Sequence, residues 1–238
     1  MALTLVTGAP GWLGTRLVRT LAEGHPDLPV LAPPDANRRI RCLVQPGADA
    51  QTLARIAQVE CIEGDLRDPA AAEALCRDAE GAVLFHAAGL VHPVRFVRDL
   101  FQVNVEGTRH LVAAAERAGV ARVVAVSSNS PAGNNPRPDH LFDEQAPYRP
   151  YMSYGRSKMQ MEALVHEAQA RGRLETVIVR PTWFYGPDQP ERQTTFFRMI
   201  RSGRAPIVGD GENRRSLAYT GNLFQEVVLC AGSPFAAG

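Results

Sequence analysis

Leu3-Thr4-Leu5-Val6-Thr7-Gly8-Ala9-Pro10-Gly11-Trp12-Leu13-Gly14 is the stretch that decides the fold. Leu3 to Thr7 is a short apolar and β-branched run, which reads as a strand. Gly8, Gly11 and Gly14 follow at three-residue spacing. Leu13, Leu17, Val18 and Leu21 then recur at helical spacing. Strand, glycine turn, helix is the context in which such glycines carry chemistry. Gly8 permits a tight turn, Gly11 lets backbone approach a pyrophosphate at the helix N-terminus, and Gly14 allows close helix–strand packing. The spacing is G-x-x-G-x-x-G rather than G-x-G-x-x-G, so the turn is a variant of the long-known dinucleotide fingerprint.

The same alternation continues outward. Strands are expected at Ile40–Val44, Val59–Ile62, Ala82–His86, Arg122–Ser127, Glu175–Arg180 and Ser216–Tyr219. Helices are expected at Gln51–Ala57, Pro69–Arg77, Phe101–Ala118, Tyr154–Ala170, Thr194–Ser202 and Asn222–Ala231. Strands alternating with helices predict a parallel sheet covered on both faces. His25–Arg39 is a Pro- and Asp-rich loop, and Pro131–Pro150 a long loop of the kind that borders active sites.

The whole chain narrows the function classes. Its 238 residues suffice for one substantial core. A net charge of +1, from 26 basic and 25 acidic residues, gives no basis for a nucleic-acid or membrane-surface partner. No apolar run reaches the length that spans a bilayer, and Met1–Gly8 lacks the basic start of a signal peptide. Cys42, Cys61, Cys76 and Cys230 form no C-x-x-C. They read as buried free thiols in a reducing cytoplasm, with no metal site.

Several polar residues fall at strand ends, where such sheets bind nucleotides. Asp65 follows the third strand, with a turn or capping role equally open to it. His86 ends the fourth strand and reads as structural. Asn104 either holds a water or braces backbone, or is an ordinary polar position. Ser127 and Ser128 end the fifth strand. The second strand ends in Val44-Gln45-Pro46-Gly47, without the carboxylate that binds an adenosine ribose. With Arg38, Arg39 and Arg41 just upstream, that leans toward NADP over NAD.

Tyr154-Gly155-Arg156-Ser157-Lys158 opens the helix before Met159. Four-residue spacing puts Tyr154 and Lys158 on one helical face. A free tyrosine ionises near pH ~10, so roughly one molecule in a thousand is phenolate at neutral pH. Reaching about pH 7 needs about 4 kcal/mol, which a nearby ammonium can help supply. The product would be an acid/base for an alcohol oxygen.

Taken in order, these motifs resemble the extended short-chain dehydrogenase/reductases, the NAD-dependent epimerase/dehydratase and 3β-hydroxysteroid dehydrogenase group. The resemblance runs through Thr7–Gly14, Gly64-Asp65-Leu66, His86-Ala87-Ala88-Gly89, Asn104–Thr108, Ser127-Ser128 and Tyr154–Lys158. It continues through Arg180-Pro181, Tyr185-Gly186-Pro187 and Tyr219–Asn222. It implies a Rossmann-type doubly wound sheet, with residues 1–180 binding NAD(P) and 181–238 an interleaved, partial substrate-binding region. It also implies Tyr154 as acid/base, Lys158 on the nicotinamide ribose lowering the Tyr154 pKa, and Ser128 on the reacting oxygen. Ser128 is preferred to Ser127 because it lies five residues before Gly133. The turn Gly8, Pro10, Gly11, Trp12, Leu13 and Gly14 would hold the pyrophosphate. Asp65 and Leu66 would lie by the adenine, Ala87 and Ala88 along the ribose and nicotinamide, and Pro181 at the nicotinamide end.

Ser128-Asn129-Ser130 lacks the acid pair with which the group's dehydratases eliminate water, so hydride transfer by an oxidoreductase or epimerase is expected instead. Asn129 and Arg215 are expected to touch substrate. Arg214 or Arg215 beside Gly209-Asp210-Gly211 suits the diphosphate of a nucleotide sugar, whereas Tyr219–Asn222 resembles the sterol branch. The chain ends at Gly238, short for the group. That keeps a catalytically silent NAD(P)-binding or scaffold protein as the alternative, and makes a homodimer, covering an incomplete lid, an assembly to test.

Overall fold

A computed structural model describes residues 3–25, 37–92, 96–135, 137, 139–207, 209–234 and 236. Strands β1 (Leu3–Thr7), β2 (Arg39–Val44), β3 (Val59–Glu63), β4 (Val83–His86), β5 (Arg122–Val126) and β6 (Glu175–Val179) pair in parallel, in the order β3-β2-β1-β4-β5-β6. The order reverses between β1 and β4, and a ligand crevice lies outside the carboxyl ends of strands at such a point. Most of the expected loop from His25 to Arg39 lies outside the described residues.

Period-two alternation sends successive side chains to opposite faces. Leu5, Leu84 and Val123 face one way, where α3 (Pro69–Cys76), α5 (Gly107–Arg117) and α6 (Met152–Ala170) supply Leu75, Leu111, Met161 and Val165. Val6, Phe85 and Val124 face the other way, against Leu17, Val18 and Leu21 of α1 (Trp12–Glu23) and the short α2 (Gln51–Ala54). That face is completed by Leu223, Phe224 and Val227 of α8 (Thr220–Gly232). The last helix in the chain therefore packs on the sheet.

Three expectations change. The helix expected from Phe101 begins at α4 (Arg98–Phe101) and passes through a π-helical turn, Gln102–Glu106, into α5. Trp183–Tyr185 forms an unexpected strand, β7, parallel to β8 (Leu217–Tyr219) in a separate two-stranded sheet beside α7 (Glu191–Arg201). Finally, Cys42 and Cys76 are buried, but Cys61 is exposed because β3 is the edge strand; all four cysteines are free thiols.

Candidate active site

The glycine turn is built by close approach. Gly8 has φ +90°, and a Cβ there would meet the Ala87 carbonyl carbon at 2.4 Å and the Ala88 nitrogen at 2.5 Å. A Cβ on Gly14 would meet the Gly8 carbonyl oxygen at 2.5 Å. Gly11 precedes α1 without a side-chain cap, so the amides of the first turn keep room for an anion. The cradle fits a pyrophosphate in shape and in hydrogen-bonding character.

Ala87 and Ala88 continue from that cradle into Gly89. A Cβ on Gly89 would lie 3.0 Å from the Lys158 Nζ and 3.4 Å from the Asn104 Oδ1. The β4 end thus forms a continuous backbone wall from the glycine turn to Lys158.

Below the wall runs a directed hydrogen-bond chain. The Thr108 hydroxyl donates to the Asn104 carbonyl at 2.7 Å, so it accepts from His86 Nε2 at 2.8 Å. His86 Nδ1 then accepts from the Thr7 hydroxyl at 2.8 Å, which in turn accepts from the Ala88 amide at 3.3 Å. His86 is buried and neutral, its pKa pushed down to about 3 by burial and, secondarily, by Lys158. The Asn104 side chain braces the backbone: it accepts from the Leu90 amide at 2.7 Å, and donates to the Leu90 carbonyl and the Ser157 hydroxyl at 2.9 Å each.

Tyr154 and Lys158 lie one turn apart on α6. The helix can come close because Gly155 abuts the Ser130 carbonyl, where a Cβ would stand at 2.8 Å. The Ser128 hydroxyl lies close enough to Tyr154 to act on its ionisation. Burial nevertheless raises the Tyr154 pKa, with Ser128 opposing, so the lowering by Lys158 expected from spacing is not what this environment produces. The Lys158 ammonium is buried and donates to the Val126 carbonyl at 3.0 Å and the Met161 Sδ at 3.5 Å. Burial pushes its pKa down to about 8, and Glu162 works against that shift.

The two serines separate. The Ser127 hydroxyl donates to the buried Glu162 carboxylate, whereas the Ser128 hydroxyl faces Tyr154 and Ser130, the latter at 3.0 Å. Asn129 lies beside Ser128, with 3.4 Å between its Oδ1 and the Ser128 hydroxyl, and its amide donates to the Pro181 carbonyl at 3.1 Å.

Other expected residues are engaged elsewhere. The Trp12 indole donates to the Pro187 carbonyl at 2.9 Å and stacks on Phe184, so only its backbone faces the turn. Leu13 packs into the core face of α1. Leu66 is buried, and its carbonyl accepts from His110 at 2.9 Å. Asp65 grips Arg67 and lies by Gln45, and the Arg67 guanidinium leads in holding its carboxyl below the usual range. Asp68, not Asp65, caps α3 by accepting from the Ala70 amide at 2.9 Å. Arg215 lies over the Trp183 ring at 5.8 Å, on the second sheet.

Arg38, Arg39 and Arg41 stand at the wrong end of β2 for a ribose phosphate. Arg38 donates to the Leu21 carbonyl, Arg39 pairs with Glu60, and Arg41 binds Glu60 and the Leu75 and Arg77 carbonyls. Glu162, Arg180, Tyr148 and Ser127 form a network that spacing did not disclose. One signal was in the chain: Lys158 is its single lysine, since every other Lys/Arg position is arginine.

The model of the NAD dependent epimerase/dehydratase family matches residues 4–236. The Sinorhizobium fredii protein y4nL is 50% identical over 237 residues, 99% of this chain and 65% of that protein. The N-acetyl-alpha-D-glucosaminyl-diphospho-ditrans,octacis-undecaprenol 4-epimerase of Escherichia coli O157:H7 is 31% identical over 93% of this chain and 60% of its own length. The chain thus spans less than two thirds of either relative. Among solved structures, the dTDP-glucose 4,6-dehydratase DesIV of Streptomyces venezuelae, with NAD and TYD bound, superposes with a TM-score of 0.78 at 27% identity. The match covers 97% of this chain and 71% of that one. With a dehydratase among the similar structures, the exclusion of dehydratase chemistry read from Ser128-Asn129-Ser130 gains no support from these likenesses.

Proposed function

Because the chain belongs to the NAD dependent epimerase/dehydratase family, we propose that it carries an NAD(P)-dependent oxidoreductase or epimerase site acting at a secondary alcohol or ketone carbon. The carrying observation is that Tyr154 and Lys158, one turn apart on α6, are held against the β5 end that carries Ser128, where the backbone wall that starts in the glycine cradle finishes. Gly8, Gly11 and Gly14 hold a dinucleotide pyrophosphate. Ala87, Ala88 and Pro181 line its nicotinamide side, and Asp65 and Leu66 its adenine side. The bound nicotinamide supplies the hydride acceptor or donor.

Ser128 orients the reacting oxygen and Tyr154 exchanges its proton. A buried, protonated Tyr154 is set up to donate to a ketone oxygen. In the opposite direction the phenolate needs a counter-charge, which Lys158 supplies one turn away. Residues 1–180 form the cofactor unit and 181–238 the substrate side, interleaved with it through α8.

NAD is the favoured cofactor in this reading, a change from the lean toward NADP. The arginines behind that lean point away, and the Asp65 carboxylate beside Gln45 would meet a 2′-phosphate with like charge. A sugar carried on a diphosphate is the favoured substrate class, because DesIV and the Escherichia coli epimerase are named for such compounds, with Asn129 and Arg215 as contacts. Dehydration is disfavoured on the residues alone, for want of a carboxylate at 129 or 130.

Tyr154→Phe is the test. It should cut turnover by about 10²–10⁴-fold while leaving NADH binding intact. Near-native turnover in that variant would refute the proton-transfer role. Cofactor binding by the native protein, without absorbance change across sugar nucleotides, sterols and aldehydes, would favour the silent binding protein.

A further inference from the structure

Glu162 stands one helical turn beyond Lys158 and two beyond Tyr154, on the same face of α6. It is fully buried. Its carboxylate accepts from the Ser127 hydroxyl at the β5 end and from the Tyr148 hydroxyl at 2.7 Å in the long loop. It also accepts from Arg180 just after β6, at 3.1 Å from Nε and 2.7 Å from Nη2. One carboxylate therefore ties together α6, which carries Tyr154 and Lys158, the neighbour of Ser128, and the neighbour of Pro181.

A buried ion pair is a weak device for stability, since well-packed apolar replacements often do as well. Its position beside Lys158 gives it another use. Among the described residues Lys158 makes no ion pair within 4 Å, and its ammonium leans on the Val126 carbonyl. The titratable groups facing it are His86 from β4, which is neutral, and Tyr154 and Glu162 from α6 itself. Those facing Glu162 are Arg180 and Tyr148. Glu162 is the one carboxylate in this set.

We propose that Glu162 is a positioning residue whose carboxylate, anchored by Ser127, Tyr148 and Arg180, is the counter-charge that keeps buried Lys158 an ammonium ion. Its catalytic consequence rests on the Ser128–Tyr154–Lys158 reading; the charge relation does not. Burial has already pushed the Lys158 amine down to about 8, so losing an opposing charge moves it into the neutral range.

The single lysine makes this directly measurable. Protein labelled with ¹³C,¹⁵N-lysine gives one side-chain Cε resonance, which belongs to Lys158. In Glu162→Gln its titration midpoint should fall by about one unit or more, and the alkaline limb of kcat/KM should move with it. Loosened packing alone would admit water and raise the midpoint. A midpoint that is unchanged or raised overturns the proposal. If Glu162→Gln does not fold, Glu162→Gln with Arg180→Gln removes the carboxylate together with its partner and should still lower the midpoint, by less than the single variant because an opposing positive charge goes with it. A shifted midpoint in a protein whose Tyr154→Phe variant stays active would sink the catalytic reading alone. The reverse pair of results would sink the role of Glu162 alone.

Discussion

Helices α5 and α7 have the same length, and both carry apolar residues at helical spacing, yet they end in different surroundings. In α5, Gly107, Thr108, Leu111, Val112, Ala114 and Ala115 are buried against the six-stranded sheet. In α7 no side chain is fully buried. Phe196 and Phe197 meet Trp183, Tyr185 and each other edge-on or stacked, beside a two-stranded sheet, and Ile200 is half exposed. The side of the crevice proposed to hold the cofactor is thus built on a core packed on two faces. The side assigned to substrate is held by an aromatic cluster and a few polar ties, such as Arg16 to Asp188 at 2.8 Å. Rigid elements position reacting groups, whereas a softer cluster adapts to what it grips.

The largest expected effect concerns His86, in the rigid half. Its folded pKa of about 3 lies below the ordinary 6.5, so the unfolded chain binds a proton that the folded one refuses. The stability this provides is complete above pH 6.5 and is lost as pH falls toward 3, by up to roughly 5 kcal/mol at 1.36 kcal/mol per unit. Urea denaturation at pH 7 and pH 4 should show the loss in the native protein and a flatter dependence in His86→Gln. Equal pH dependence in both would show that the Thr7–His86–Thr108 chain is not the acid-sensitive part of this half.

That chain also marks the boundary of what the sequence disclosed. The six main strands were placed within a residue or so, because β-branched runs between turn signals have few alternatives in an α/β chain. His86 was read as structural at its strand end, though its type is no guide there; its partners, Thr7 and Thr108, come only with the tertiary structure. The π-helical turn at Gln102–Glu106 was not legible, since one extra residue per turn leaves no signature in the apolar spacing. β7 was missed because Trp183-Phe184-Tyr185 is too short to show a period. Arg38, Arg39 and Arg41 misled, because they sit at the start of β2, and an extended strand carries them away from its carboxyl end at Val44. Glu162 needed the tertiary structure: its partners come from residues 127, 148 and 180, and no spacing links them.

A core truncation follows in size. Leu111 of α5 is fully buried on the sheet, so Leu111→Ala should cost about 2–5 kcal/mol. The spread reflects how far α3 and α6 can close on the void. The loss is read as a lower urea midpoint at constant slope.

The smallest effect is the one that most sharpens the contrast. Phe197 of α7 touches Trp183 at 6.0 Å, Tyr185 at 5.8 Å and Phe196 at 5.7 Å between ring centroids, but water reaches the cluster. Removing its ring forfeits pair contacts of about 0.5–1.5 kcal/mol each in favourable cases. It leaves a dent that solvent fills rather than a void, so no cavity cost is added. Three such contacts at the low end of that range make Phe197→Ala cost about 1.5 kcal/mol, below the loss from Leu111→Ala under the same conditions. Because α7 borders the proposed substrate side and not the glycine cradle, the same variant should weaken KM for substrate and leave NADH binding unchanged. Equal losses from the two truncations would mean that α7 is packed as firmly as α5. The aromatic cluster would then be a second core, and adaptation on that side of the crevice would have to come from its loops.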